Sequence, residues 1–552
     1  MTNVLLTTLN TRQALSFRAA GHWGDDSIYT YVARHAEKTP TAYAVRDRVR
    51  RVTYADLIDA ADRLAASLHA SGLLAGDRVA VWLPSRIETA TAMLACSRNG
   101  YVCCPSLHRD HTTADIVSLL QRMRASALIA ERGYGSDAER HDIFKQLDGL
   151  TTLKAVHPLE KLISATDAWL WPSLPGRASS RGDDPDSIIY LAFTSGTTGV
   201  PKGVMHSDNT LLANALTLSA DWELGADACI YSMSPLSHNL GFGALIMTLA
   251  RGGEFVIHDM ARGESLIGRI LETDASFLIG VPTHAIDLLA ELRARGLSKL
   301  GRVKGMRVSG ASIPPNVAEG LLAHGVVPQS GFGMTEAGSH HYTLPGDSAQ
   351  RICETSGRAC ATYDVRIFAK DDPNLEVSPG DVGQICGRGA SLMLGYFDDQ
   401  DATESSFNAS GWFITGDLGW VDADGYLRVT GRKKDVIIRG GHNIYPARIE
   451  ALALRHADVL HAAAVAVDDD RLGEKVCLVV APKPGHMIDV ALMLEHLEDA
   501  GLSKYDMPEY FVTQSRLPLT ASGKILKREI LDSIKDGRVT PIPVRYQVKA
   551  AT

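Results

Sequence analysis

Residues 188–203 read Ile188-Ile189-Tyr190-Leu191-Ala192-Phe193-Thr194-Ser195-Gly196-Thr197-Thr198-Gly199-Val200-Pro201-Lys202-Gly203. The six apolar residues at 188–193 predict a short buried strand. The strand opens into small, hydroxyl-bearing and flexible residues, the composition of a phosphate cradle. Glycines let backbone N–H groups approach an anion closely, and Ser and Thr hydroxyls add donors. Lys202 adds a compact positive charge suited to a polyphosphate. The loop is not a Walker A sequence, which needs glycine directly before its lysine and Ser or Thr after it. Here Pro201 precedes Lys202 and Gly203 follows.

The chain has 552 residues, more than one ordinary core organises, so several subdomains are expected. At 45% hydrophobic and 22% charged it has the composition of a soluble globular protein. No apolar stretch reaches the length of a membrane span, and residues 1–17 lack a continuous apolar signal region. A net charge of −8 argues against a nucleic-acid partner. Eight scattered cysteines form no CxxC pair, which disfavours zinc and disulfide frameworks and fits a reducing cytoplasm.

Helical and strand patterns alternate over 28–192, with helices expected at 55–74 and 88–99 and a strand at 78–83, arguing for largely parallel α/β sheets. Residues 171–186, rich in Pro, Gly, Ser and charge, read as a surface connection. Beyond 360, short strands at 365–368, 383–386 and 426–430 with a tight turn at 422–425 suit a small β-barrel. From 435 the strand–helix alternation returns, with strands at 459–467 and 475–480. The expected division is an adenylation core over 1–433 and a small mobile α+β domain over 434–552. Gly24-Asp25-Asp26-Ser27 resembles a phosphopantetheine attachment site, but too little chain precedes it for a carrier domain. Ser27 is better read as the N-cap of a helix beginning at Ile28.

The 194–203 decapeptide resembles the phosphate loop of the acyl-adenylate-forming enzymes (the AMP-dependent synthetase/ligase superfamily), which include acyl-CoA synthetases, aryl-acid–AMP ligases and luciferases. Further motifs resemble the same family in the same order. Phe332-Gly333-Met334-Thr335-Glu336 resembles its aromatic-Gly-x-Thr-Glu segment. The resemblance implies that Phe332 stacks on adenine, Thr335 holds the α-phosphate and Glu336 binds Mg²⁺; each residue type suits its task. Thr415-Gly416-Asp417 resembles the ribose-binding segment, with Asp417 accepting from the two hydroxyls. Arg432 adds a ribose or phosphate contact, and Lys434 falls at the family's hinge. Pro518 to Lys524 resembles the terminal motif whose lysine enters the site during adenylation. The implied ATP/AMP contacts are Thr194, Ser195, Gly196, Thr197, Thr198, Lys202, Gly310, Ala311, Ser312, Phe332, Gly333, Asp417 and Arg432. The implied catalytic residues are Lys524, Thr335, Glu336 and His238.

The family's acid pocket falls near Ser237-His238-Asn239-Leu240-Gly241. There His238 resembles a gate residue beside the carboxylate, and Asn239 the asparagine that bonds a neighbouring hydroxyl in 2,3-dihydroxybenzoate– and salicylate–AMP ligases. Phe332-Gly333-Met334 and the segment Pro105 to Arg109 also resemble that subgroup. Ser309, Gly310 and Gly333 complete the candidate acid-binding set. Residues 439–446 resemble instead the CoA-ligase form of the hinge-proximal loop, which places Gly440 and Gly441 near CoA, most like ligases for cyclohexanecarboxylate-like and small acids. The resulting expectation is ATP-dependent, Mg²⁺-assisted ligation of a compact acid to CoA, by a monomer or homodimer. The alternative is an aryl-acid–AMP ligase loading a separate carrier protein.

Overall fold

The computed structural model describes residues 5–162, 184–194, 201–261, 263–310, 313–520 and 523–545. The expected connection at 171–186 lies almost wholly outside the described residues, as do Ser195, Gly196, Thr197, Thr198, Ala311 and Ser312.

Two large sheets form the first part of the chain. One has six strands in the order Ala155–Leu159, Ala125–Glu131, Arg78–Trp82, Val102–Cys104, Ile188–Thr194, Lys202–Ser207. Its strands pair in parallel except for the last pair, in which Thr194 lies opposite Lys202. Lys202 thus stands on the first residue of a strand, a placement that the loop-like sequence around Pro201 did not reveal. The other sheet has nine strands, and its parallel centre includes Cys229–Ser232, Phe277–Gly280, Gly305–Val308 and Val327–Met334.

Helix Ile87–Asn99 is buried at every residue and belongs to a core that draws side chains from both sheets. The expected helix at 55–74 spans Tyr54–Ala70, opened by a capping box from Thr53 and Asp56. Ser27 caps helix Ile28–Lys38, its hydroxyl accepting from the Thr30 N–H.

An ion network ties the two layers. Arg50, just before strand Arg51–Thr53 at one edge of the nine-stranded sheet, donates to Glu88 at 2.8 Å. Arg86 donates to Glu88 at 2.8 Å and to Glu131, at the end of a strand of the six-stranded sheet, at 2.7 Å. Glu88 is 0% exposed. Burial alone pushes its carboxyl up, but the two guanidiniums outweigh it and hold the pKa near about 2.

The β-rich unit expected after residue 360 is an antiparallel meander: Tyr363–Phe368, Gly383–Gly389, Phe413–Val421, Leu427–Arg432. Its last turn closes through the Gly425 N–H on the Asp422 carbonyl, with Gly425 at φ +85. A short 3-10 turn, Lys433–Asp435, leads into a final sheet built on the long antiparallel pair Val459–Asp469 and Gly473–Pro482. In that sheet, strands Ile437–Arg439 and His442–Ile444 are joined by Gly440-Gly441 alone. Both glycines have positive φ, as a two-residue primed hairpin turn demands. Among the described residues no helix is long and apolar enough to cross a membrane.

Candidate active site

The meander, the carboxyl-end loops of the nine-stranded sheet and the segment 518–526 bring charged side chains together. Asp417 and Arg432 lie opposite each other on adjacent strands, with Arg432 Nε 3.5 Å from Asp417 Oδ1. Asp417 is 6% exposed. Burial raises its carboxyl to about 6, against the pull of Arg432 and Lys524. Gly416, at φ +78, provides the bend before it.

Lys524 follows a turn in which its own N–H donates to the Thr520 hydroxyl at 3.0 Å. Part of its surface stays in water. Protein crowding around the ammonium nevertheless lowers its pKa, Arg432 lowers it further, and Asp417 and Glu336 pull it back up. Its Cε lies so close to Gly310 that a Cβ there would sit 3.3 Å away, and Gly310 holds φ +95. Lysine, arginine and two carboxylates from distant parts of the chain thus share one electrostatic field.

Glu336 follows strand Val327–Met334. Its Oε1 accepts from the Tyr396 hydroxyl at 3.0 Å. The Lys202 ammonium lies over the ring of the same tyrosine, 4.7 Å from its centre. Tyr396 therefore ties the phosphate-loop lysine to the motif glutamate, a role that no sequence motif announced. Thr194 Oγ1 reaches the Lys202 carbonyl at 3.5 Å. The Thr335 carbonyl is met by His206 Nε2 at 2.7 Å, so His206 positions the turn carrying Thr335 and Glu336. Burial depresses that imidazole to about 4, leaving it neutral near pH 7. Gly333 admits no side chain, since a Cβ would stand 2.3 Å from the Gly338 carbonyl oxygen. Phe332 meets the edge of His340, their ring centres 5.2 Å apart.

A cavity opens between helices Asp208–Asp221 and Asn239–Ala250 and the nine-stranded sheet. Thr335 stands at its wall, as do Asn239, Asn214, Ile279, Met247 and Arg307. The Asn239 side-chain amide has no hydrogen-bond partner among the described residues. The other acid-pocket candidates, His238, Ser309, Gly310 and Gly333, are not among the lining residues. His238 caps helix Asn239–Ala250, its Nδ1 accepting from the Leu240 N–H at 3.2 Å. Burial, then Lys524, then His108 drive it down to about 3, so it too is neutral. Ser309 donates its N–H to the Gly280 carbonyl at 3.2 Å. Lys434 lies on the exposed 3-10 turn. Gly440 packs on Leu472, with its N–H on that residue's carbonyl at 2.7 Å.

Residues 32–397 match the AMP-binding enzyme family, and residues 448–524 match the AMP-binding enzyme C-terminal domain. The chain belongs to the AMP-binding enzyme family. The medium-chain fatty-acid–CoA ligase of Escherichia coli (strain K12) is 30% identical over 530 residues, covering 94% of this chain and 92% of its own. Feruloyl-CoA synthase of an Amycolatopsis species is 32% identical over 514 residues, covering 92% and 99%. Among solved structures, ATP-bound MatB from Rhodopseudomonas palustris superposes with a TM-score of 0.80 at 28% identity, covering 93% of this chain and 99% of that one.

Proposed function

We infer that this protein is an AMP-forming acid–CoA ligase that activates a small carboxylic acid. A carboxylate oxygen of the substrate attacks the α-phosphorus of ATP, and pyrophosphate leaves. The CoA sulfur then attacks the acyl carbon, and AMP leaves. The observation that carries this reading is the grouping of Lys202, Glu336, Asp417, Arg432 and Lys524, linked through Tyr396 and their mutual charges, in a chain whose relatives include ligases that join acids to CoA.

Negative charge builds on the phosphoryl oxygens in the first step, so the chain needs placed cations and donors rather than a nucleophilic side chain. Lys524 supplies its ammonium on the side of Gly310. Its partial desolvation strengthens the interaction with an incoming phosphoryl group. Lys202 and Thr194 serve the polyphosphate from the edge of the six-stranded sheet, and the motif assigns Ser195, Gly196, Thr197 and Thr198 to the same group. Asp417 and Arg432 take the ribose, Phe332 and Gly333 the adenine. Gly310, Ala311 and Ser312 border the nucleotide.

Glu336 fits Mg²⁺. Among the described residues no group of three or more potential metal ligands gathers, and a single hard carboxylate beside a polyphosphate site is how this ion is commonly bound. When bound, the ion neutralises polyphosphate charge. Tyr396 fixes the glutamate by donating to Oε1. Neutral His238 caps the helix that Asn239 begins, and Asn239 offers its unpartnered amide to a hydroxyl near the substrate carboxylate. Lys434 is the hinge about which residues 434–552 turn between the half-reactions, bringing Gly440 and Gly441 toward CoA.

Incubation with ATP, Mg²⁺, CoA and a panel of small acids tests this function. Acid-dependent pyrophosphate release with thioester formation is the expected result; pyrophosphate release without a thioester, for every acid, refutes CoA as acceptor. Asn239→Leu is expected to erase a preference for hydroxylated over deoxy acids, and unchanged selectivity excludes the assigned role of its amide.

A further inference from the structure

Arg307 sits in the middle of strand Gly305–Val308, between Met306 and Val308, and is 2% exposed. Its strand neighbours turn into the apolar core on the far face of the sheet, while Arg307 lines the cavity. Its Nη1 donates to Gln329 Oε1, opposite it on the next strand. Nε and Nη2 find no acceptor among the described residues, and neither does Gln329 Nε2. No carboxylate among the described residues pairs with the guanidinium. The ring of Tyr342, 5.9 Å from the guanidinium carbon, is the one aromatic face near it among the described residues. Burial lowers its pKa to about 10, which still leaves it charged at neutral pH. His340, buried nearby, is kept neutral and supplies no counter-charge.

A buried, charged guanidinium with two open N–H groups is costly unless an acceptor meets it. The other polar groups of the cavity are largely engaged: His206 with Thr335 and Thr210, Asn214 with Ser339, Ser391 with the Ala337 carbonyl. Leu240, Met247 and Ile279 add apolar surface to the same wall. The cavity therefore combines polar groups with apolar wall. Thr335, on the turn where a carboxylate would be activated, and Arg307, with surplus N–H donors and a positive charge, line the same cavity.

We propose that the substrate is a two-headed acid, with one carboxylate activated beside Thr335 and a second, ionised carboxylate seated on Nε and Nη2 of Arg307. This rests on the ligase reading above. A carboxylate offers two oxygens with several lone pairs, matched to the fork of a guanidinium, so it satisfies both open donors at once. A monoacid of the same length would leave them unmet, and a site built around polar partners rejects ligands that lack them.

Acid-dependent ATP–pyrophosphate exchange decides this. The probes are glutarate, adipate, suberate and terephthalate, set against pentanoate, hexanoate, octanoate and 4-methylbenzoate. The expected result is kcat/KM at least about 100-fold higher for the best diacid than for its matched monoacid. In Arg307→Met, that preference collapses or inverts while exchange with a monoacid persists, which also shows that the variant folds. Arg307→Lys, which keeps the charge but not the fork, recovers part of the preference. Equal or better exchange with monoacids by the unaltered protein overturns the proposal and leaves the ligase reading standing. Absence of exchange with every acid overturns the ligase reading and this proposal with it.

Discussion

Replacing Asp417 with asparagine is expected to strengthen the fold and weaken the grip on ATP in the same molecule. Burial raises this carboxyl from its usual 3.8 to about 6. A group whose folded pKa is raised binds its proton more tightly when folded, so stability is lost as pH rises from 3.8 through 6 and stays level above that. Two units of difference, at about 1.4 kcal/mol each, correspond to about 3 kcal/mol at pH 8 and about half that at pH 5. The attraction of Arg432 is already contained in that net shift. An asparagine carries no charge to desolvate, and imperfect hydrogen bonding of its amide offsets part of the gain, leaving about 1–3 kcal/mol. Urea unfolding at pH 5 and pH 8 measures the first effect; pyrophosphate exchange titrated with ATP measures the second. The unfolding midpoint of D417N is expected to exceed that of the unaltered protein, more so at pH 8. Its KM for ATP should rise about tenfold or more, from loss of a charged acceptor for the ribose. A lower midpoint at pH 8, or the same difference at both pH values, refutes the reasoning.

Lys524→Ala is expected to slow pyrophosphate exchange by about 10²–10³ with no change in thermal midpoint, since the ammonium acts on developing charge and carries no core packing. A loss below about threefold would remove it from the reaction. Tyr396→Phe frees Glu336 from its hydroxyl donor, so the Mg²⁺ concentration for half-maximal exchange should rise about tenfold; an unchanged Mg²⁺ titration argues that the tyrosine does not position the ion's ligand. Glu88→Ala should cost about 3–5 kcal/mol in urea unfolding by leaving Arg50 and Arg86 buried without their shared partner. Because the folded carboxyl is depressed, its contribution is full above the usual 4.5 and fades as pH falls toward about 2. An E88A penalty that does not shrink in acid contradicts the ion-network account.

The strand at 188–193, the Ser27 cap and the 422–425 turn were legible because each depends on near neighbours: an apolar run, a hydroxyl before a periodic segment, a glycine able to take positive φ. The pairing of Lys202 with Thr194 was not, since Pro201 and the glycines around it advertise a loop while the strand partner lies across it. Tyr396 left no local signal at all. It is 60 residues from Glu336 and arrives only because segment 393–397 lies along strand Lys202–Ser207, with Leu394 and Phe397 bonded to Met205 and Gly203. Arg307 did leave one: a lone charge inside an otherwise apolar strand of a parallel sheet is an anomaly, and a buried anomaly of that kind marks a site. His238 illustrates the opposite limit. Its motif position points to the carboxylate, but its ring nitrogen also caps the start of helix Asn239–Ala250, a second task decided by the backbone that follows.

The glycine at 310 has a mechanical meaning. With no side chain and with its backbone in the left-handed region, it forms the floor against which the stem of Lys524 comes to rest. A floor sets how deep a plunger travels. One added carbon there would stop the lysine a few tenths of an ångström short, out of range of an oxygen placed for the full stroke. The thickness of this one backbone position thus gauges the reach of a residue carried more than two hundred positions later in the chain.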